Sequence, residues 1–324
     1  MKNYLILLII LYSQISAANS DDDRLFPEIP LYFSKAEKIN EFTTRIPFKL
    51  VDRLMVIEGV LNDKKGNFII DTGSEALILN KVHFKTYRFN YEKKGETSGI
   101  LSTVDNPIEK TIKNISFDNL NLKNKNSDVV DLSHIEKSKK IKLLGIIGYA
   151  ILKDYEVFVD LYLNQITLSK VDKSGLKLSK EGYLETIVDS INFTLKKHTI
   201  VLEAIINKQK VTFGLDTGAE FNQINSRINK KVLKHFYPKK RIQLTGASSK
   251  KIEVLYGDLH RVKLTDKIYF GPMKTIITNL NNMNKAFGTN LDGILGHDFF
   301  AQKRVIINYQ KEKLYFIKYP FIRE

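Results

Sequence analysis

The chain has 324 residues, 43% of them apolar and 10% aromatic with no Trp, a composition that argues against disorder and leaves room for two domains. Its 51 Lys and Arg against 36 Asp and Glu give a formal net charge of +15. The lysines are scattered, as in residues 137–142 and 239–241, and neither a basic helix nor a nucleic-acid motif gathers them, so nucleic acid is not an expected partner. The absence of Cys excludes disulfides, thiolate catalysis and Cys-ligated zinc.

At the N-terminus, Lys2 precedes an apolar run from Leu5 to Leu11, and Ser16, Ala17 and Ala18 follow. This pattern reads as a signal peptide over 1–18, cut after Ala18, which predicts a periplasmic or extracellular protein. The run is shorter than the roughly 20 residues a bilayer span needs, so no stable span is expected after cleavage. Residues 19–42, with Asp21-Asp22-Asp23, suit a propeptide, a flexible arm or an extra edge strand.

From there the chain repeats itself. Ile46 to Asn80 aligns without a gap onto Ile191 to Asn225 at a constant offset of 145, and Ile46, Phe48, Glu58, Phe68, Asp71, Thr72, Gly73, Glu75 and Asn80 all keep their identity. A second block, Leu143 to Leu168 onto Leu291 to Phe316, runs at offset 148. A loop between the blocks absorbs the difference of three residues. This period is far longer than the 20 to 50 residues of solenoid repeats, so it reads as a duplicated domain. The predicted lobes are 43–169 and 189–324, joined by a linker over 170–188 that bears Lys, Ser and Gly.

Both halves read as β-rich. Met55 to Leu61 leads through a turn at Asn62 to Gly66 into Phe68-Ile69-Ile70, and Ile200 to Ile206 leads through Asn207 to Lys210 into Val211-Thr212-Phe213. Val157 to Asp160 and Val305 to Asn308 each open a further hairpin, and helical signal is short and local, as over 225–236. The predicted fold class is all-β with few short helices.

Each predicted second strand ends in Asp-Thr-Gly: Asp71-Thr72-Gly73-Ser74 and Asp216-Thr217-Gly218-Ala219. A carboxylate at the end of a buried strand is expensive to ionise. Two facing one another share a proton and titrate as a unit, one able to take a proton from water while the other donates. Glycine permits the tight turn and a close approach of the loops, and each threonine hydroxyl is placed to bond across to the other lobe. A single Asp-Thr-Gly is a weak signal; two after matched apolar strands, each followed later by apolar-apolar-Gly, form a strong one. Asx turns in a duplicated β domain are the plainer alternative.

These motifs resemble the pepsin and retropepsin superfamily of aspartic peptidases, and the cysteine-free lobes with Gly293-Ile294-Leu295-Gly296-His297-Asp298-Phe299 are most similar to bacterial retropepsin-like members. The resemblance implies a bilobal acid-protease fold made of two tandem β-barrel lobes, with Asp71 and Asp216 as the catalytic pair. It further implies that Ile146-Ile147-Gly148 and Ile294-Leu295-Gly296 pack beside the catalytic loops. A hydroxyl after the motif bonds the carboxylate in that family, so Ser74, opposite Ala219 in the second copy, makes Asp71 the expected ionised member. Candidate flaps over the cleft are Ser98-Gly99-Ile100 and Thr245-Gly246-Ala247, with a surface turn as the alternative for each.

The expected activity is metal-free and cofactor-free hydrolysis of a peptide or protein substrate by a monomer. A non-catalytic bilobal peptide-binding protein is the alternative, and a dimer of chains ranks below both. The six His show no metal-ligand spacing, and for His297 a packing or surface role outweighs a place in the site.

Overall fold

The structure is a computed structural model that describes residues 31–84, 108–179, 181, 185–245 and 251–320, together with the short strands Tyr12–Ser13, Thr97–Ser98 and Thr103–Val104. It is all-β with few short helices, as the alternating and apolar runs predict.

The first half is a closed barrel. Its strands follow the order Ile108–Phe117, Leu120–Val130, Leu77–Asn80, Leu143–Ile147, Lys64–Ile70, Leu54–Leu61, and Ile115 pairs back onto Leu61 to close the ring. Closure removes the open edges that a free sheet would expose. The hairpin from Leu61 to Lys64 turns on Asn62 and Asp63 alone, at φ 48° and 61°. Its counterpart turns on Asn207 and Lys208, at φ 49° and 61°. Two residues with positive φ make the turn whose twist suits a hairpin. The turn is therefore tighter than the Asn62–Gly66 stretch expected, and Lys64 to Gly66 belong to the strand.

The second half repeats the strand order with Lys251–Leu259, Met273–Thr278, Asn222–Asn225, Gly293–Leu295, Gln209–Leu215 and Thr199–Ile206, with Val262–Lys263 pairing onto Ile205. The predicted helical stretch over 225–236 narrows to Lys230–Leu233, where the Asn229 side chain accepts a hydrogen bond from the Lys231 N–H.

A third sheet draws strands from both halves, in the order Ile187–Asn192, Lys313–Ile317, Arg304–Asn308, Tyr155–Asp160, Gln165–Lys170, Thr43–Pro47, Glu37–Asn40. At its centre Phe158 faces Ile306, Val157 faces Ile307 and Val159 faces Val305. Residue 158 is the offset-148 equivalent of 306, so a local two-fold axis passes through that pair. On either side of the axis sit a buried ion pair, Arg304 to Asp160 at 2.7 Å, and a hydrogen bond from Asn308 Nδ2 to Glu156 at 3.1 Å. The outermost strand Glu37–Asn40 places part of residues 19–42 at the edge of this sheet. One hydrophobic cluster runs through both halves, from Phe48, Phe68 and Phe117 to Phe213, Phe299 and Phe316. Among the described residues no helix is long and apolar enough to cross a membrane.

Candidate active site

In each half, two strands run parallel and a third lies antiparallel beside the second. Lys64–Ile70 pairs in parallel with Leu143–Ile147, which pairs antiparallel with Leu77–Asn80; Gln209–Leu215, Gly293–Leu295 and Asn222–Asn225 repeat this. The parallel pairing ties each Asp to its apolar-Gly motif. The Asp71 N–H donates to Ile147 O at 3.0 Å, and the Asp216 N–H donates to Leu295 O at 2.9 Å. Ile146, Ile147, Ile294 and Leu295 are all buried. Gly148 lets the loops touch: a Cβ there would lie 2.4 Å from Ala76 O and 2.5 Å from Ser74 O, well inside contact distance. The residues after the two glycines then donate to the carbonyls of the Asp loops, Tyr149 N–H to Ser74 O at 2.8 Å and His297 N–H to Ala219 O at 2.9 Å. Gly296 donates its own N–H to Asn222 Oδ1.

The two loops meet at the interface between the halves. The Thr72 N–H donates to Thr217 Oγ1 and the Thr217 N–H donates to Thr72 Oγ1, both at 3.0 Å. The hydroxyls donate onward across the interface, Thr217 to Ile70 O at 2.9 Å and Thr72 to Leu215 O at 3.4 Å. Four hydrogen bonds thus lock the loops together, and every group involved is buried.

This grip brings Asp71 and Asp216, 0% and 1% exposed, within hydrogen-bonding reach of each other. Asp71 Oδ1 accepts from the N–H groups of Gly73 at 2.8 Å and Ser74 at 3.1 Å, and Asp216 Oδ1 accepts from Gly218 at 2.8 Å. The Oδ2 atom of each is buried and takes no hydrogen bond from any other protein group. Gly218 stands against the opposite carboxyl, where a Cβ would come within 2.6 Å of Asp71 Cγ. Burial pushes the Asp216 carboxyl up to about 6, against the pull of its hydrogen bonds. Burial, followed by the Asp216 charge, pushes the Asp71 carboxyl well above the usual carboxylate range. The pair therefore holds one proton across a wide range and titrates as a unit.

The expected role of Ser74 is not met. Its hydroxyl donates to Ala76 O at 3.4 Å instead of to the carboxylate. Ser74→Ala is accordingly expected to leave the acidic limb of a pH–rate profile within about 0.3 units of the parent, since no hydrogen bond to the charged form is lost.

Of the flap candidates, Ser98 ends the strand Thr97–Ser98, which pairs with Thr103–Val104 and lies near the helix Asn281–Phe287 of the other half. Thr245 ends the strand Phe236–Thr245. Gly99, Ile100, Gly246 and Ala247 lie outside the described residues.

Sequence reading left out a second ring of contacts around the grip. Glu75 and Glu220, four residues after their aspartates, meet the turns ahead of Thr199–Ile206 and Leu54–Leu61 in the opposite halves. Glu75 Oε2 lies 3.7 Å from His198 Nδ1. The Glu220 carboxyl lies 2.5 Å from Lys139 Nζ, and its backbone oxygen accepts from Arg53 Nη1 at 3.3 Å. Arg53 and His198 are themselves equivalent at offset 145. The identity of Glu75 and Glu220 in the repeat was the available signal; their partners differ in type and so escape an identity search. His297 makes a cross-half packing contact, with Nδ1 3.0 Å from Arg53 O.

No family model and no curated protein matches the chain. Among solved structures it is similar to a retropepsin-like aspartic protease from Rickettsia conorii, at 14% identity and a TM-score of 0.30, covering 43% of this chain and 96% of that one.

Proposed function

We propose that the chain is an aspartic endopeptidase. The observation that carries this reading is the meeting of Asp71 and Asp216, fully buried, equivalent by the internal repeat, and gripped by reciprocal threonine hydrogen bonds. Structural carboxylates in a core are normally neutralised by a cation, as Asp160 is by Arg304. Here each carboxyl instead faces another carboxyl and keeps one oxygen free of other protein donors.

In the proposed mechanism the substrate lies between the lobes 43–169 and 189–324. The ionised member of the pair takes a proton from a water, whose oxygen attacks the scissile carbonyl carbon. The protonated member donates to the carbonyl oxygen as it becomes tetrahedral. Collapse of that intermediate passes a proton to the leaving amine and restores the shared proton. One chain supplies both halves of the site, so the working unit is a monomer. Export through residues 1–18 belongs to the same reading and places the enzyme in the periplasm or outside the cell.

The test is incubation of the chain with a mixed peptide library between about pH 3 and 7, beside Asp71→Asn and Asp216→Asn controls. Cleavage that disappears in both variants is the expected result. Peptide binding without cleavage by the parent would overturn it in favour of a non-catalytic peptide-binding protein.

A further inference from the structure

The two brackets that flank the threonine grip are built at equivalent positions but from different chemistry. On one side the partners carry fixed charge. Lys139, 2% exposed, sits between Glu220 at 2.5 Å and Asp52 at 3.2 Å, while Arg53 covers the Phe221 ring at 4.5 Å and lies 3.9 Å from Asp298. On the other side the partner is an imidazole. His198 is 1% exposed, its ring packs edge-on against Phe287 at 5.2 Å, and it stands beside the backbone of Gly73 in the Asp71 loop. Neither ring nitrogen has a hydrogen bond of good geometry to a protein group.

We propose that His198 is an acid-sensitive positioning residue: while uncharged it seals the Asp71 loop against the opposite half, and on protonation that bracket opens while the Lys139–Glu220 bracket holds. This rests on the peptidase reading for its consequence, which is a loosening of the Asp71 loop near pH 4, added to the titration of the aspartate pair itself.

The surroundings explain why a proton is resisted and why its arrival is disruptive. The charged groups facing the ring are Glu75 from the catalytic loop and Lys197 from its own turn. The helix Asn281–Phe287 presents Phe287 to the ring, carries Lys285, and accepts a hydrogen bond from Lys197 Nζ at Ala286 O. Burial, then the neighbouring Lys197 charge, lowers the imidazole to about 4. Burial raises Glu75, so this carboxylate is losing its charge as the imidazole begins to gain one. An imidazolium formed there would be buried against an aromatic ring with a fading counter-charge, and its route to solvation is to leave the pocket.

The sign follows from linkage. A histidine lowered on folding contributes its full stability above its unfolded midpoint near 6.5 and loses it as pH falls toward 4. Across that window the parent's unfolding constant should rise relative to His198→Gln by about tenfold per pH unit. Two measurements on the full chain read this without any substrate: the NMR titration of the histidine rings, and urea unfolding at several pH values. One ring, missing from His198→Gln, should stay neutral until about pH 4, and the variant should lose stability more shallowly in acid. If His198→Gln does not fold, Phe287→Leu replaces it, and loosening the pocket should move one ring midpoint up toward 6.5. A His198 ring titrating near 6.5 in the parent, or no ring shifting in Phe287→Leu, overturns the proposal. Activity separates the two readings: cleavage together with an ordinary His198 titration sinks only the bracket. A late-titrating His198 without cleavage at any pH sinks only the peptidase.

Discussion

Asp216→Asn and Asp71→Asn are each expected to lower peptide cleavage by at least about 10³-fold, while Asp216→Asn unfolds less readily than the parent at pH 7. The activity loss follows because an amide neither takes a proton from water nor hands one to a carbonyl at neutral pH. The gain in stability follows from the environment of the pair. A carboxyl raised on folding favours the fold only while protonated, a contribution complete below its unfolded midpoint and lost as pH passes the folded one. Asp216, raised from 3.8 to about 6 by burial, therefore works against the fold at pH 7, by an amount on the order of 3 kcal/mol. Asn keeps the volume and an oxygen to accept the Gly218 N–H, and removes the charge. Urea unfolding of parent and variant at pH 7 and pH 4 checks this: the difference should be large at pH 7 and shrink at pH 4. A variant less stable than the parent at pH 7 would contradict it. Such a trade of stability for activity is the usual signature of a strained functional site.

Thr217→Val should be a costly conservative change, at about 2–6 kcal/mol. The two residues have the same shape, so the loss isolates the hydroxyl. That hydroxyl accepts from the Thr72 N–H and donates to Ile70 O, both buried, and valine strands both groups away from solvent. Each unsatisfied buried group costs roughly 1–3 kcal/mol. Thr72→Val should cost less, because its outgoing bond to Leu215 O is longer at 3.4 Å. Chemical denaturation of both single variants and the double variant measures this, and the double should cost less than the sum since the two hydroxyls serve one interlocked unit. Equal and additive losses would show that the grip is not cooperative.

Much of this site could be read from the sequence because the repeat states its chemistry twice. Asp71 and Asp216 each follow an apolar strand, and the apolar-Gly motifs recur at matching distance, so the loops and their supports are legible in the sequence. The hairpins of both halves are legible for the same reason, although their turns on Asn62 and Asn207 are tighter than the flanking polar residues suggest. Other features depend on partners that no local pattern names. Lys139 sits in a lysine-bearing helix that reads as a solvated face, yet its ammonium is buried against Glu220. His198 and Arg53 differ in type, so the equivalence of their brackets emerges only in three dimensions. Ser74 misled because its hydroxyl turns toward a neighbouring carbonyl, a rotamer choice that sequence does not encode. The central pairing of Tyr155–Asp160 with Arg304–Asn308 was equally hidden, since both strands are buried throughout and lack the alternation that would mark a face.

That central pairing also governs how tolerant the molecule is to insertions. Because Phe158 lies opposite its own equivalent, the ladder works as a ruler shared by the two copies. A single extra residue in Tyr155–Asp160 would displace one half by about 3.4 Å along the ladder and exchange Val157 and Val159 with Phe158 between the two buried faces of the sheet. The two carboxyls, far from the inserted residue, would then miss each other by more than a hydrogen bond's length, so the length of this strand pair is fixed as firmly as the aspartates themselves.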